Sequence, residues 1–282
     1  MKNLNWKVFT VKRDSATQDS NMPVGNEHLR WVANTATLIY GQTDAILIDV
    51  YLTTDQTNQL VSWIRETGKN LKAVYLTHAH ADHIYGAKIL ADNFPQAKIV
   101  SLPEVIKHIP AQFDQDYINR FWETKFPQKI PKEFIMPEAI LNNELDIEGH
   151  KIVIEIVGFS DTESTTFVYV PSLALVVSGD IVYNGIHLYL AETTSETRQE
   201  WIAALHKIAA LNPKFVVAGH KIPQNDNSPS NIQATIDYLI SFERLNQETT
   251  TTLDLYQKML TLYPDRVNPG SLWGGAKAAK GK

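Results

Sequence analysis

The chain has 282 residues, 44% hydrophobic and 20% charged, which suits a folded globular protein and excludes disorder, collagen and coiled coil. Its 31 acidic and 26 basic residues leave a net charge of −5 and a pI of about 6.0, without the basic footprint of a nucleic-acid binder. There is no cysteine, which removes disulfides, thiol nucleophiles, iron–sulfur clusters and thiolate zinc sites. Any metal must therefore be held by His, Asp and Glu. The opening Met1–Lys7 turns polar too soon for a signal peptide, and no apolar run approaches the ~18 residues of a membrane span. The expectation is a soluble cytoplasmic protein with a small-molecule substrate, no nucleic-acid or membrane partner, and a homodimer as one assembly open to it.

In chain order, Ala45–Val50 reads as a buried strand. Residues 54–67 follow as a helix, with Leu60, Val61 and Ile64 at helical spacing and Gly68 as its stop. Leu71–Thr77 is a second strand, 83–94 a helix ended near Pro95, and Ala97–Leu102 a third strand. This β-α-β-α-β order predicts a mixed sheet covered by helices. Residues 103–136 interrupt it, punctuated by Pro103, Pro110, Pro127 and Pro131. One helix there carries Phe113, Tyr117 and Phe121 at i, i+4, i+8, a stripe that fits either core packing or a lid over a pocket.

Strands resume at Lys151–Val157, Thr165–Val170 and Leu173–Ser178, the last two joined near Pro171-Ser172. Residues 196–211 form an amphipathic helix with Trp201, Leu205 and Ile208 on its apolar side. Thr193 and Glu196 have capping-box spacing, and Asn212-Pro213 is the stop. Lys214–Ala218 is a final strand, Ser228–Leu262 is helical twice over, and Ala276–Lys282 reads as a frayed tail. Without a low-complexity linker, residues 1–282 are read as a single domain with an insertion at 103–136 and C-terminal helices from 228.

The chemistry concentrates at Leu76-Thr77-His78-Ala79-His80-Ala81-Asp82-His83, where three of nine histidines and one acid fall within six residues. His78 and His80, at i and i+2 of an extended segment, project to one side. Asp82 and His83 come where the chain turns into a helix. Imidazoles with a carboxylate suit zinc, with manganese, iron or cobalt as alternatives.

This H-x-H-x-D-H run after a strand resembles the signature of the metallo-β-lactamase superfamily. The resemblance implies an α/β fold, a four-layer αββα sandwich with a one- or two-metal centre at the edge between its sheets. Asp49 resembles the family's buried acid that orients the metal loop, Ser178-Gly179-Asp180 its metal-bridging aspartate, and Ala218-Gly219-His220 its final histidine. By resemblance, His78 and His80 belong to the first metal, Asp82, His83 and His220 to the second, and Asp180 to both. The implied function is a hydrolase in which a metal-bound water or hydroxide attacks a small-molecule ester, lactone or thioester. Asp82 and Tyr183 are its implied catalytic residues, Tyr183 standing three residues after Asp180 as in the lactonase branch. Asp49 acts by hydrogen bonds rather than by coordination.

The pocket is expected to include Phe159, His187, Phe113, Tyr117 and Phe121. Phe159 stands where the family usually places the first metal's third histidine, in Val157-Gly158-Phe159-Ser160-Asp161-Thr162-Glu163. Asp161, Glu163 and His150 are the residues able to replace that ligand. The absence of cysteine sets the chain apart from the thiolate-bearing β-lactamases. The stretch Leu262–Trp273 is similar to the end of a group of bacterial metallo-hydrolases whose substrates are not settled. Phe159 also motivates a second expectation, a metal-binding or sensory protein of this fold with weak or lost catalysis.

Overall fold

The computed structural model describes residues 3–281. Its strands in chain order are β1 (Asn5–Asp14), β2 (Trp31–Tyr40), β3 (Asp44–Ile48), β4 (Asn70–Tyr75), β5 (Lys98–Ser101), β6 (Glu138–Ala139), β7 (Glu144–Ile147), β8 (His150–Gly158), β9 (Thr165–Val170), β10 (Leu175–Val177), β11 (Tyr183–Asn184), β12 (Phe215–Val217) and β13 (His220–Lys221). Among the described residues they make an eight-stranded sheet, ordered β11-β13-β2-β3-β4-β5-β6 with β1 paired to β2, and a five-stranded sheet, ordered β12-β10-β9-β8-β7. The first sheet is mixed. Its β3, β4, β5 and β6 run parallel, as the β-α-β-α-β pattern predicts, while β2 is antiparallel to β1, β3 and β13.

Side-chain alternation assigns the layers. On β9 and β10, Val168, Val170, Leu175 and Val177 face the first sheet and join a core that continues through β3 and β4 to Leu60, Val61, Ile64 and Leu90 of the covering helices. Phe167 and Val176 point the other way, into a second core with Trp201, Leu205 and Ile208 of the helix Ser195–Ala210 and with the C-terminal helices. The result is the αββα order. Strand β3 has Ala45, Ile46, Leu47 and Ile48 all buried because both of its faces are covered.

Several boundaries differ from the sequence reading. Its first 44 residues carried no assigned element, yet β1 and β2 pair continuously from Asn5↔Tyr40 to Asp14↔Trp31. The helix expected at 83–94 is two pieces, Ala81–Ile84 and Ala87–Asn93, with Gly86 wedged against Thr57 at the break. The insertion's helix runs over residues 115–125, π-helical over Ile118–Trp122, and carries Tyr117 and Phe121, while Phe113 ends a separate turn, Ile109–Gln112. The capping box lies one residue later. Thr194 Oγ1 accepts from the Thr197 N–H, and Thr197 Oγ1 accepts from the Thr194 N–H, so a hydroxyl serves where Glu196 was expected to. The tail through Ala279 is not frayed, for it belongs to the helix Pro269–Ala279, with Ala276 buried; Lys282 lies outside the described residues. No helix among the described residues is long and apolar enough to cross a membrane.

The two sheets are also tied at the end remote from the histidines. Glu148, at φ +52° in the β7–β8 turn, accepts hydrogen bonds from the backbone N–H groups of Gln42 (2.8 Å), Thr43 (2.7 Å) and Asp44 (2.9 Å). These donors favour the carboxylate and lower its pKa from 4.5 to about 2. A depressed folded pKa stabilises the protein above the unfolded value, and that stability is lost as pH falls through the folded one. Glu148→Gln is therefore expected to lower the urea midpoint at neutral pH, with the deficit shrinking between about pH 4.5 and 2. A deficit independent of pH across that window contradicts this.

Candidate metal centre

The centre is assembled from strand ends. β3 ends at Asp49, β4 runs into His78–His83, β10 into Gly179-Asp180, and β12 into Gly219-His220. Asp49 is buried with φ +62°, a conformation rare for a residue with a side chain. This turn aims its carboxylate at the next loop. Thr77 donates to Asp49 through its backbone N–H and its hydroxyl, both at 2.8 Å, and His83 Nδ1 lies 3.0 Å from Asp49 Oδ2. His78 Nδ1 sits 2.9 Å from Thr77 Oγ1, and since that hydroxyl donates to Asp49, the imidazole donates to it. One buried carboxylate thus orients His78 and His83 together. His220 Nδ1 lies 3.0 Å from the Ala33 carbonyl oxygen and must be its donor. In all three rings Nε2 is the nitrogen turned toward the centre. His80 is reversed, presenting Nδ1 inward while Nε2 meets Glu192 Oε1 at 3.2 Å.

Three groups have ligand-type atoms within 4.8 Å of one another: Asp49–His78–His83, already accounted for by the hydrogen bonds above, and two clusters open to a metal, His78–His80–Asp161–Asp180 and Asp82–His83–His220. Asp180 lies between them, with Oδ1 3.2 Å from His83 Nε2 and Oδ2 3.0 Å from His220 Nε2 and 3.9 Å from His78 Nε2. His80 Nδ1 is 2.9 Å from Asp161 Oδ2. Even so, His78 Nε2, Asp161 Oδ2 and Asp180 Oδ1 are buried with no hydrogen-bond partner. Buried polar atoms that crowd together without hydrogen-bonding are arranged around a shared point, as ligand atoms are.

The charges agree. Burial pushes the His78 imidazole down to about 4. Burial opposes charge on His80 and His83 as well, but Asp161 and Glu192 outweigh it at His80, and Asp180 and Asp49 at His83, raising both well above the ordinary range. Asp82 and Asp180 are held well below the usual carboxylate range despite burial, Asp82 by Arg13, His83 and His220, and Asp180 by His220 and His83. The carboxylates demand positive charge among these imidazoles, which either protons or a metal cation supplies. The donor set fits a metal.

Of the residues expected to stand in for the ligand missing at Phe159, Asp161 is the one that lies in the first cluster. Gly158, at φ +82°, and a register shift between Ile156 and Gly158 turn the chain sharply after β8, and the Ser160 N–H closes the turn on the Thr162 carbonyl. The turn brings Asp161, fully buried, into the first cluster. Glu163 instead faces outward beside Lys107 and His108, and His150 begins β8 at its far end. Phe159 is half-buried and is not among the residues lining the adjoining cavity.

That cavity, of about 330 Å³, lies over His80, Asp82, Asp161, Asp180 and His220. Tyr117 and Phe121, stacked at 5.7 Å, form one wall as expected; Tyr183 and Tyr189 also line it. Phe113 and His187 do not. Phe113 stacks on Phe134 inside the insertion, where its separate turn takes it out of the i, i+4 stripe. His187 is buried against Tyr238 with Nδ1 2.9 Å from its hydroxyl, and burial with nearby Arg266 lowers its pKa to about 3. Tyr183 donates to Asp180 Oδ2 at 3.1 Å and stacks on His220. Three contributors carried no signal in the sequence: Arg13, 2.6 Å from Asp82 Oδ2; Asn34, 2.9 Å from the same atom; and Glu192, behind His80.

The family model described as the metallo-beta-lactamase superfamily matches residues 29–220. The chain belongs to this superfamily. Over 115 residues it is 42% identical to a hydroxyacylglutathione hydrolase of Prochlorococcus marinus (strain NATL1A), an alignment spanning 39% of this chain and 39% of that relative's length. Among solved structures, a metallo-beta-lactamase from Pontibacter korlensis aligns with TM-score 0.59 and 16% identity, covering 84% of this chain and 99% of the other. One from Hirschia baltica aligns with TM-score 0.58 and 14% identity, covering 84% and 98%. At these identities the two structures speak for the fold alone. The site residues come from this chain's own geometry.

If Asp161 rather than residue 159 completes the first cluster, Asp161→Ala lowers bound metal by about one ion per chain, while Phe159→His leaves the stoichiometry unchanged. Elemental analysis of purified protein decides between them. Gly219→Ala tests the close approach beside Asp180. A Cβ there meets Asp180 Oδ1 and the Gly179 backbone, so this variant is expected to lose metal while keeping its far-UV circular dichroism.

Proposed function

We propose that the chain is a metal-dependent hydrolase of a small-molecule ester, lactone or thioester. The observation that carries this reading is the pair of His/Asp clusters sharing Asp180 at the floor of a cavity of about 330 Å³, a volume suited to a small ligand. His78, His80, Asp161 and Asp180 would hold one ion, and Asp82, His83, Asp180 and His220 the other. When bound, such ions polarise a carbonyl oxygen and lower the pKa of water toward ~7, with zinc the metal best suited to these donors. The remaining chemistry belongs to the chain.

Glu192 and Asp49 fix the orientations of the His80 and His83 rings. Tyr183, whose hydroxyl is kept protonated well above its ordinary range by burial and by Asp180, lines the cavity and donates its one proton to Asp180 Oδ2; handed from Asp180 to a bound substrate, that bond would serve the oxygen on which charge develops. Tyr117 and Phe121 exclude water from an apolar substrate. The Prochlorococcus relative's name points to thioesters, and its partial alignment makes this the first substrate class to assay. The sensory alternative rests on Phe159; Asp161 in the cluster is the ligand-type group that favours the hydrolase reading over it.

Protein reconstituted with zinc is expected to hydrolyse at least one substrate from a panel of thioesters, lactones, β-lactams and phosphodiesters, and to lose that activity with His78→Ala. A panel left wholly untouched defeats the proposal. Tyr183→Phe is expected to lower kcat by roughly 10- to 100-fold with metal content unchanged, as for loss of one oxyanion donor.

A further inference from the structure

Arg13 is the one arginine or lysine among the described residues that pairs with the centre's ligand-type groups, and it comes from β1, remote in sequence from the motif. Its Nη2 binds Asp82 Oδ2 at 2.6 Å, and the Asn34 side-chain amide donates to the same oxygen at 2.9 Å. The guanidinium is also held by the Asp14 carbonyl, at 3.1 Å from Nη1, and lies 5.6 Å from the Phe126 ring. Its side chain is only 8% exposed, so it is a fixed element of the cavity wall and not a surface arginine folded inward. His220 Nε2 is 3.6 Å from that same Asp82 oxygen, which places Arg13 in competition with the cluster to which Asp82 belongs.

Among the described residues no arginine or lysine pairs with the acids of the other cluster. Asp161 Oδ2 faces His80 Nδ1, itself a ligand-type atom, at 2.9 Å, and Asp161 Oδ1 accepts from the Ser160 hydroxyl at 3.0 Å. The two halves therefore differ in what meets their acid. Asp82 is paired with a permanently charged guanidinium that cannot coordinate an ion, whereas the partner of Asp161 is an imidazole that is itself a ligand-type group. Resting on the reading of this site as a metal centre, we propose that Arg13 makes the centre unequal: a divalent cation occupies the His78–His80–Asp161–Asp180 side first, and Arg13 holds down the affinity of the Asp82–His83–His220 side by occupying Asp82. A second ion must displace a charge-assisted hydrogen bond and settle beside a positive charge, both of which oppose it.

The test is a titration of apo full-length protein with Co²⁺, followed by its visible absorption and by calorimetry, with no substrate present. The wild-type chain is expected to bind two ions in separate steps, the tighter abolished by Asp161→Ala and the weaker by His83→Ala. Arg13→Met removes the charge and keeps the stem's packing; it is expected to tighten the weaker step about tenfold or more and leave the tighter one in place. Arg13→Lys keeps the charge and should stay within a few-fold of wild type, which separates charge from packing. The proposal is overturned if Arg13→Met leaves the weaker step unchanged, or if it shifts both steps equally. A wild-type chain that binds no ion at all overturns this proposal and the metal-centre reading together, while two ions bound with equal affinity overturn this proposal alone.

Discussion

Everything at the site depends on the carboxylate of Asp49. A buried carboxylate must be met by hydrogen bonds, and here the donors are the Thr77 N–H, the Thr77 hydroxyl and the His83 ring. Through Thr77 the same group reaches His78, so two imidazoles separated by a turn of chain are oriented by one acid at the end of a neighbouring strand. Leaving any of these buried donors without a partner costs about 1–3 kcal/mol. That is reason enough for the strand end to accept a left-handed residue at position 49.

Around this hub the centre is a problem of charge. Asp82, Asp161 and Asp180 converge on four histidines, most of them buried, at the floor of the cavity, and the carboxylates outweigh burial in drawing positive charge onto His80 and His83. Glycine solves the matching problem of space. At Gly179 a Cβ would lie 2.7 Å from Thr77 Oγ1, and at Gly219 it would strike Asp180, so both strand ends approach closely only because they lack side chains.

The cavity above draws on widely separated parts of the chain. Arg13 to Asp19 follow from β1, Gln112 to Lys125 come from the insertion, Tyr189 to Glu192 precede the helix Ser195–Ala210, and Asn268 to Lys277 come from the last helix. That helix is anchored by an ion pair from Lys277 to Asp19 and by Lys280 Nζ donating to the Asn246 and Thr249 carbonyls. The chain's two ends thus close one wall together, and the insertion supplies the aromatic one.

Much of this was legible beforehand because it is local. Absence of cysteine confined any metal to His and carboxylate donors. The spacing from His78 to His83 placed ligand-type groups at a strand end, and apolar runs such as Ala45–Ile48 marked the buried strands whose ends carry Asp49 and Asp180. What stayed hidden depends on distance through space. β1 and β2 pair over their whole length although neither has a strong pattern alone, so Arg13 and Asn34 reach Asp82 only once the sheet exists. Residue 159 was the natural place to look for a missing ligand by alignment with a motif. The bulge after Ile156 and the left-handed Gly158 turn the chain so that Asp161 enters instead. Residue types and their local spacing therefore determined which chemistry this chain can support. The tertiary structure alone decided which acid completes the cluster and which cation stands beside it, because those contacts form between segments that only packing brings together.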